Sequence, residues 1–278
     1  MTLHPAPPDT GIVFRRAGSA AEILANWANT IESPLSTVLS NGEGNTVGTV
    51  EHLMAALAGA AIDNAIIELD GREVPIMDGS SAPFLFLIEC AGVVEQDAAR
   101  RAIKILKKVS VTEDGATAVL FPDHGFSMSF EIHFDNPLIR RQDICLMFDA
   151  DTFKTELSRA RTFGLLDELD RLRAAGLVRG GSLDNAVVVG RDHVLNVGGL
   201  RYADEFVRHK LLDAFGDLYL AGGPLLGSFR GMRSGHAHTR RLLATLFADP
   251  EAWCFTTLSR PTHRSEPAWQ DGLQLASD

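Results

Sequence analysis

Asp204-Glu-Phe-Val-Arg-His-Lys-Leu-Leu-Asp-Ala-Phe-Gly-Asp-Leu-Tyr-Leu220 carries the strongest helical pattern in the chain. Asp204 stands where an N-cap belongs, and Gly222-Gly223 stops the helix. A short strand, Leu225 to Phe229, and a last helix, about Gly235 to Phe247, follow it. Upstream lie a buried strand at Asn185 to Val189, a Gly-rich loop at Gly176 to Gly181, and helical stretches at Leu166 to Ala174 and Thr152 to Leu157. Further upstream, strands read at about Arg101 to Val111, Ala116 to Phe121, Ser127 to Phe134 and Ile144 to Phe148. The polar run Glu95-Gln-Asp-Ala-Ala-Arg-Arg101 then interrupts the apolar patterning and marks a domain boundary. Before it come a strand at Gly11 to Arg15, a helix at about Thr49 to Ala60, a strand at Ala65 to Leu69 and a helix at about Ala82 to Cys90. The expectation is an α+β chain of two domains, 1-97 and 101-262, each with a sheet and two helices, and a loose tail at 263-278.

Composition narrows the function classes. Of 278 residues 45% are apolar and 22% charged, enough to bury one large core or two small ones. Lys+Arg 26 against Asp+Glu 36 leaves a net charge of -10, which repels phosphate backbones and disfavours a nucleic-acid partner. The longest apolar run, around Leu218 to Phe229, is broken by Gly222, Gly223 and Pro224, short of the roughly 18 to 20 residues of a membrane span. No integral membrane segment is expected. Met1 to Pro8 shows neither the basic nor the apolar part of a leader, and Cys90, Cys145 and Cys254 are scattered and odd in number. Both features fit the cytoplasm.

Three polar residues give the strongest helix its chemistry. His209, Asp213 and Asp217 stand four residues apart and share one stripe, flanked by Phe206, Leu212, Phe215 and Tyr219. A His and an Asp one turn apart can hold a zinc ion as nitrogen and oxygen ligands, with a further ligand from elsewhere. An ordinary i,i+4 hydrogen bond on a helix surface is the other reading, since chance alone supplies about 0.7 such pairs here. Glu51 and His52 head the otherwise apolar helix Thr49-Val-Glu-His-Leu-Met-Ala-Ala-Leu-Ala-Gly59. They are either reactive groups or a dipole-matched carboxylate beside a satisfied core histidine. Arg159-Ala-Arg-Thr-Phe-Gly164 offers the Thr162 hydroxyl, and Gly231-Met-Arg-Ser-Gly-His236 sets His236 at a helix start; each is also plausible as a plain loop. The helix dipole disfavours protonated His236 unless an anion lies near, and Asp217 is the candidate. The peptidase pattern His-Glu-x-x-His is absent, which leaves a zincin protease unsupported.

Together these segments resemble the zinc-dependent UDP-3-O-acyl-N-acetylglucosamine deacetylases, which act in lipid A synthesis in Gram-negative bacteria. The likeness rests on Thr49-Val-Glu-His-Leu with Ala55-Ala-Leu-Ala-Gly59, on Val74-Pro-Ile-Met-Asp-Gly-Ser-Ser-Ala-Pro-Phe84, and on Ser158-Arg-Ala-Arg-Thr-Phe-Gly164. Gly180-Gly-Ser182, Asp204 to Asp213 with Gly216-Asp-Leu218, and Ser234-Gly-His-Ala237 continue it in collinear order over nearly the whole chain. The resemblance implies zinc ligands at His52, His209 and Asp213, with ferrous iron as the other metal to consider. It implies a general base at Glu51, an oxyanion-side hydroxyl at Thr162, a supporting lysine at Lys210, and a cationic histidine at His236 backed by Asp217. Phe134, Phe163 and Arg233 fall on the substrate side, with Phe134 near the uridine and about Leu165 to Gly181 along the acyl chain. It further implies that the helices are sandwiched between the two sheets, that the reaction is hydrolysis of the N-acetyl group with release of acetate, and that the protein is a monomer.

Three departures accompany the likeness. His133 stands where an Asp usually precedes the uridine-side Phe. His238-Thr-Arg-Arg241 replaces the usual Leu-Asn-Asn-Lys, and Leu165 replaces a second aromatic. Family members also begin about twenty residues earlier, with a strand and a Gly-rich loop whose absence would leave a sheet edge unpaired. A non-catalytic or regulatory paralogue that binds zinc and a nucleotide-sugar or lipid ligand is therefore the alternative expectation, and a misassigned start codon a third.

Overall fold

The computed structural model describes residues 1–149 and 151–258. The tail read at 263-278 and the far end of the second expected domain lie outside the described residues. The chain is α+β, with two large sheets and two small ones among the described residues. Its first part contains β1 (Thr2–Pro5), β2 (Ile12–Arg16), β3 (Glu22–Leu24), β4 (Thr30–Ile31), β5 (Val38–Ser40) and β6 (Thr46–Val47). Helix α1 (Glu51–Gly59), strand β7 (Ala65–Leu69) and helix α2 (Ala82–Ala91) complete it. Its sheet runs β1-β7-β2-β3, with β2 and β7 parallel, and β4-β5-β6 form a small antiparallel sheet beside it.

The second part opens with β8 (Arg101–Ile105), β9 (Val109–Glu113), β10 (Ala116–Phe121), β11 (Phe126–His133) and β12 (Arg141–Met147). Strand β13 (Phe163–Leu165), helix α3 (Leu166–Ala174), strand β14 (Val187–Val189) and helix α4 (Glu205–Tyr219) come next. Strand β15 (Leu225–Met232), helix α5 (His236–Ala248) and strand β16 (Trp253–Thr257) close the described chain. The large sheet runs β12-β11-β15-β10-β9, and β8 attaches to β15 and to β16.

One expected strand divides. Arg101 to Val111 is two strands, because β8 runs parallel to Leu225–Leu226 whereas β9 turns back through Asp114-Gly115 to pair β10. Both turn residues have positive φ, 49° and 73°, the geometry of a tight hairpin. The short strands β3 to β6 have no expected counterpart, since two or three residues cannot display an alternating pattern. Asp204 does precede α4, but its carboxylate accepts from Arg208 Nε at 2.6 Å and makes no capping bond. A charge-assisted bond to a guanidinium is stronger than one to a backbone N–H, so the cap loses.

The helix pair α1 and α4 positions the site. Every residue from Glu51 to Leu57 is buried, as are Leu211 to Tyr219, so both helices are covered on all sides. Their backbones come together at Gly216, where a Cβ would run into the Glu51 carbonyl oxygen and crowd the Ala55 nitrogen. The far side of α4 lies on β11, β12 and β15, and α5 lies on β9 and β10. This close crossing brings the head of α1 beside the polar stripe of α4.

Candidate metal centre

His52, from the first turn of α1, meets His209 and Asp213 from the middle of α4. One ligand atom from each lies within 4.8 Å of the others, a grouping able to hold a metal ion. His209 Nε2 is 3.2 Å and His52 Nε2 3.4 Å from the same oxygen, Asp213 Oδ1. The His209 Nδ1 must carry a proton, because it faces the Ala160 carbonyl at 3.1 Å and a carbonyl can only accept. Burial also drives the His209 pKa down to about 4, so the ring is neutral and its Nε2 is a bare lone pair. That lone pair faces Asp213 Oδ1, a buried oxygen with no hydrogen-bond partner. Acceptors converging without a proton between them are satisfied by a cation, and a backbone carbonyl orienting the imidazole is the usual support for a metal ligand.

Asp213 Oδ2 accepts from Lys210 Nζ at 2.7 Å. Burial opposes the Asp213 charge, but the positive charges of Lys210 and His236 outweigh it and hold the carboxyl well below its usual range. Burial likewise disfavours the Lys210 ammonium, and Asp213 reverses the effect and raises its pKa. Glu51 points into the same space. Burial raises its pKa, with partial opposition from His236 and His52, so its carboxylate is a stronger base than an exposed one.

His236 begins α5, and its Nδ1 lies 2.7 Å from Asp217 Oδ2. The anion needed against the helix dipole is thus supplied from α4. Burial lowers the His236 pKa, but Asp217 and then Glu51 and Asp213 overcome it and raise it to about 9. Its Nε2 stands 4.0 Å from Glu51 Oε1 and 3.9 Å from Asp213 Oδ2. Seven polar residues from three helices therefore share one buried pocket.

The family model for UDP-3-O-acyl N-acetylglycosamine deacetylase (LpxC) matches residues 1–248. The chain belongs to this family. It is also similar to a Teredinibacter turnerae protein named UDP-3-O-acyl-N-acetylglucosamine deacetylase, with 50% identity over 261 residues, 92% of this chain and 86% of the relative.

The remaining expected residues stand on loops and strand ends: Thr162 just before β13, Phe163 in it, Phe134 just after β11 and Arg233 just after β15. Thr162 is fixed through its backbone, which donates to Gly79 O at 2.8 Å and accepts from Val187 N at 2.7 Å. Phe163 packs edge-on to Phe206 and Phe134 and lies 6.3 Å from the His209 ring, so aromatic wall and candidate ligand are neighbours. Arg233 is exposed, and its backbone N–H donates to Glu131 O at 2.8 Å. Thr49, Met77 and Arg233 all hold left-handed φ of 53° to 57° without being glycine. Thr49 stands two residues before Glu51 and Arg233 three before His236, and such strain persists only where the surroundings enforce it.

Two important residues were not singled out in the sequence. Glu205, fully buried, accepts from Arg161 N and Nε and from Arg201 N, which ties the Thr162 loop to the start of α4. Its only local trace is an acid in a first helical turn, which reads as a dipole match. Thr37, in the loop between β4 and β5, is buried among Glu51, Asp217 and His236 and carries no motif at all.

Proposed function

We propose that the chain is a zinc-dependent amidohydrolase that removes the N-acetyl group of UDP-3-O-acyl-N-acetylglucosamine and releases acetate, in lipid A biosynthesis. The observation that carries this reading is the buried His52, His209, Asp213 cluster with its orphaned carboxylate oxygen, set beside Glu51. Two neutral imidazoles and one carboxylate suit zinc, and ferrous iron accepts the same donors. When bound, such a cation polarises the amide carbonyl and lowers the pKa of a water towards about 7.

The chain's own groups handle the protons and the charge. Glu51 takes a proton from the water as its oxygen bonds to the acetyl carbon. The negative oxygen that results is met by the Thr162 hydroxyl and by the positive charge of Lys210 and His236. Removal of one such donor typically raises a barrier by about 3 to 4 kcal/mol. The carbon–nitrogen bond then breaks as the amine gains a proton, returned by Glu51 or given by His236 Nε2, and acetate departs. Phe134, Phe163 and Arg233 line the substrate side, with the acyl chain along 165–181. In this reading the protein works as a cytoplasmic monomer of two domains, 1-97 and 101-262. Among the described residues no helix is long and apolar enough to cross a membrane.

Metal analysis and turnover test the assignment together. His209→Ala should lose bound metal, whereas Glu51→Ala should keep it and deacetylate at least about a thousandfold more slowly. Metal lost along with activity in Glu51→Ala would make Glu51 a ligand or a structural group instead. Unchanged metal content in His209→Ala would overturn the ligand set.

A further inference from the structure

Thr37 reaches into the pocket from a loop that belongs to no helix and to neither large sheet. Its backbone N–H donates to Glu51 Oε2 at 3.0 Å, and its carbonyl accepts from Val50 N, just before α1, at 3.4 Å. Its hydroxyl donates to Asp217 Oδ1 at 2.6 Å and lies 3.1 Å from His236 Nδ1. A hydroxyl has one proton to give and two lone pairs to offer, so donation to Asp217 leaves it an acceptor for His236 Nδ1–H. His236 Nδ1 is then enclosed by Asp217 Oδ2 on one side and the Thr37 oxygen on the other. The ring cannot rotate without breaking both bonds, and its Nε2 remains turned towards Glu51 Oε1. Glu51 is held in the same way, with one oxygen tied to Thr37 N–H and the other facing His236.

We propose that Thr37 is a positioning residue that fixes the separation and orientation of the two proton-handling groups, Glu51 and His236, by bonding to one through its backbone and to the other through its hydroxyl. The inference rests on the roles given to those two residues above. The physical reason for such a device is that Glu51 and His236 come from different helices, α1 and α5, and make no direct hydrogen bond at 4.0 Å. Helix packing alone leaves two such side chains free to adopt other rotamers, and proton transfer falls steeply with misplacement. A buried threonine between them, 7% exposed, locks both with groups that do not titrate.

The test compares Thr37→Val, which keeps the shape and removes the hydroxyl, with Thr37→Ser, which keeps the hydroxyl. For the purified protein with UDP-3-O-acyl-N-acetylglucosamine, Thr37→Val should lower kcat about 10- to 100-fold, change KM less than about threefold, and retain its metal. Thr37→Ser should recover kcat to within about threefold of the wild-type value. In a His236→Ala background, Thr37→Val should add less than about threefold, because the hydroxyl acts through His236. Should Thr37→Val fail to fold, Thr37→Ala deletes the same hydroxyl and carries the same expectations. Wild-type kcat in the hydroxyl-less variant would overturn the proposal. So would equal losses for Ser and Val, or an undiminished loss in the His236→Ala background. A wild-type chain inactive on this substrate would instead sink the deacetylase reading, and this inference with it.

Discussion

The candidate metal centre and the α3 segment are built from opposite kinds of structure. His52, His209 and Asp213 are 4%, 3% and 5% exposed and sit on two helices whose backbones touch at Gly216. The α3 segment stands on a pair of three-residue strands, β13 and β14, and carries Leu166 at 42% exposure and acidic residues in its first turn. Ligand atoms must converge within a few tenths of an ångström, and two helices packed backbone to backbone hold them there. An acyl chain, which the proposed function lays along this segment, makes only non-directional contacts, so such a wall can be a thin, half-exposed element on short supports. Rigidity is concentrated where geometry is directional.

Four changes sharpen that contrast, beginning with the most severe. Gly216→Val puts a branched side chain where the Glu51 carbonyl stands, and α1 and α4 must separate. We expect a stability loss of about 3 kcal/mol or more by denaturant titration, accompanied by loss of bound metal. A variant as stable as the wild type would show that the helix crossing is soft and does not set the site.

Asp217→Asn is the next in size. Asp217 is the leading attraction that raises His236, after burial has lowered it, to about 9. If the protonated ring is the working form, activity declines as pH rises through that value. Removal of the carboxylate lowers the His236 pKa, so the alkaline limb of the kcat/KM profile should move to lower pH by about one unit or more. An unmoved limb would separate His236 from the observed titration. His236→Ala, for its part, should impair turnover less than Glu51→Ala, since it assists with charge and does not activate the water.

The mildest change is expected in the α3 segment. Leu166→Ser should raise KM for the acylated substrate a few-fold and leave thermal stability within about 2 °C, as for an exposed side chain away from the core. An unaltered KM would remove Leu166 from the acyl wall, and a large drop in stability would make α3 part of the core.

Much of the arrangement is legible in the chain before it folds. Helical periodicity alone puts His209, Asp213 and Asp217 on one stripe, and the long helix, its flanking glycines and the Glu51-His52 pair on an Ala-rich helix stand out locally. The weak terms were the short strands and the single strand read across Leu106 to Lys108. Strand partners are chosen by the rest of the sheet, so nothing in that run shows that β8 and β9 pair with different neighbours.

The amino-acid sequence by itself determined the helices and the α+β class, written in residue spacing a few positions long, and the family, through its resemblance over collinear motif blocks across nearly the whole chain. Tertiary structure alone decided the contacts that neither spacing nor the resemblance names. Thr37 and Asp217 are 180 residues apart and bonded, as are Arg161 and Glu205 across 44 residues. No periodicity reports such pairs. They arise where burial strips water from polar atoms and leaves each to find its partner on whatever element the packing of α1 against α4 has brought within 3 Å.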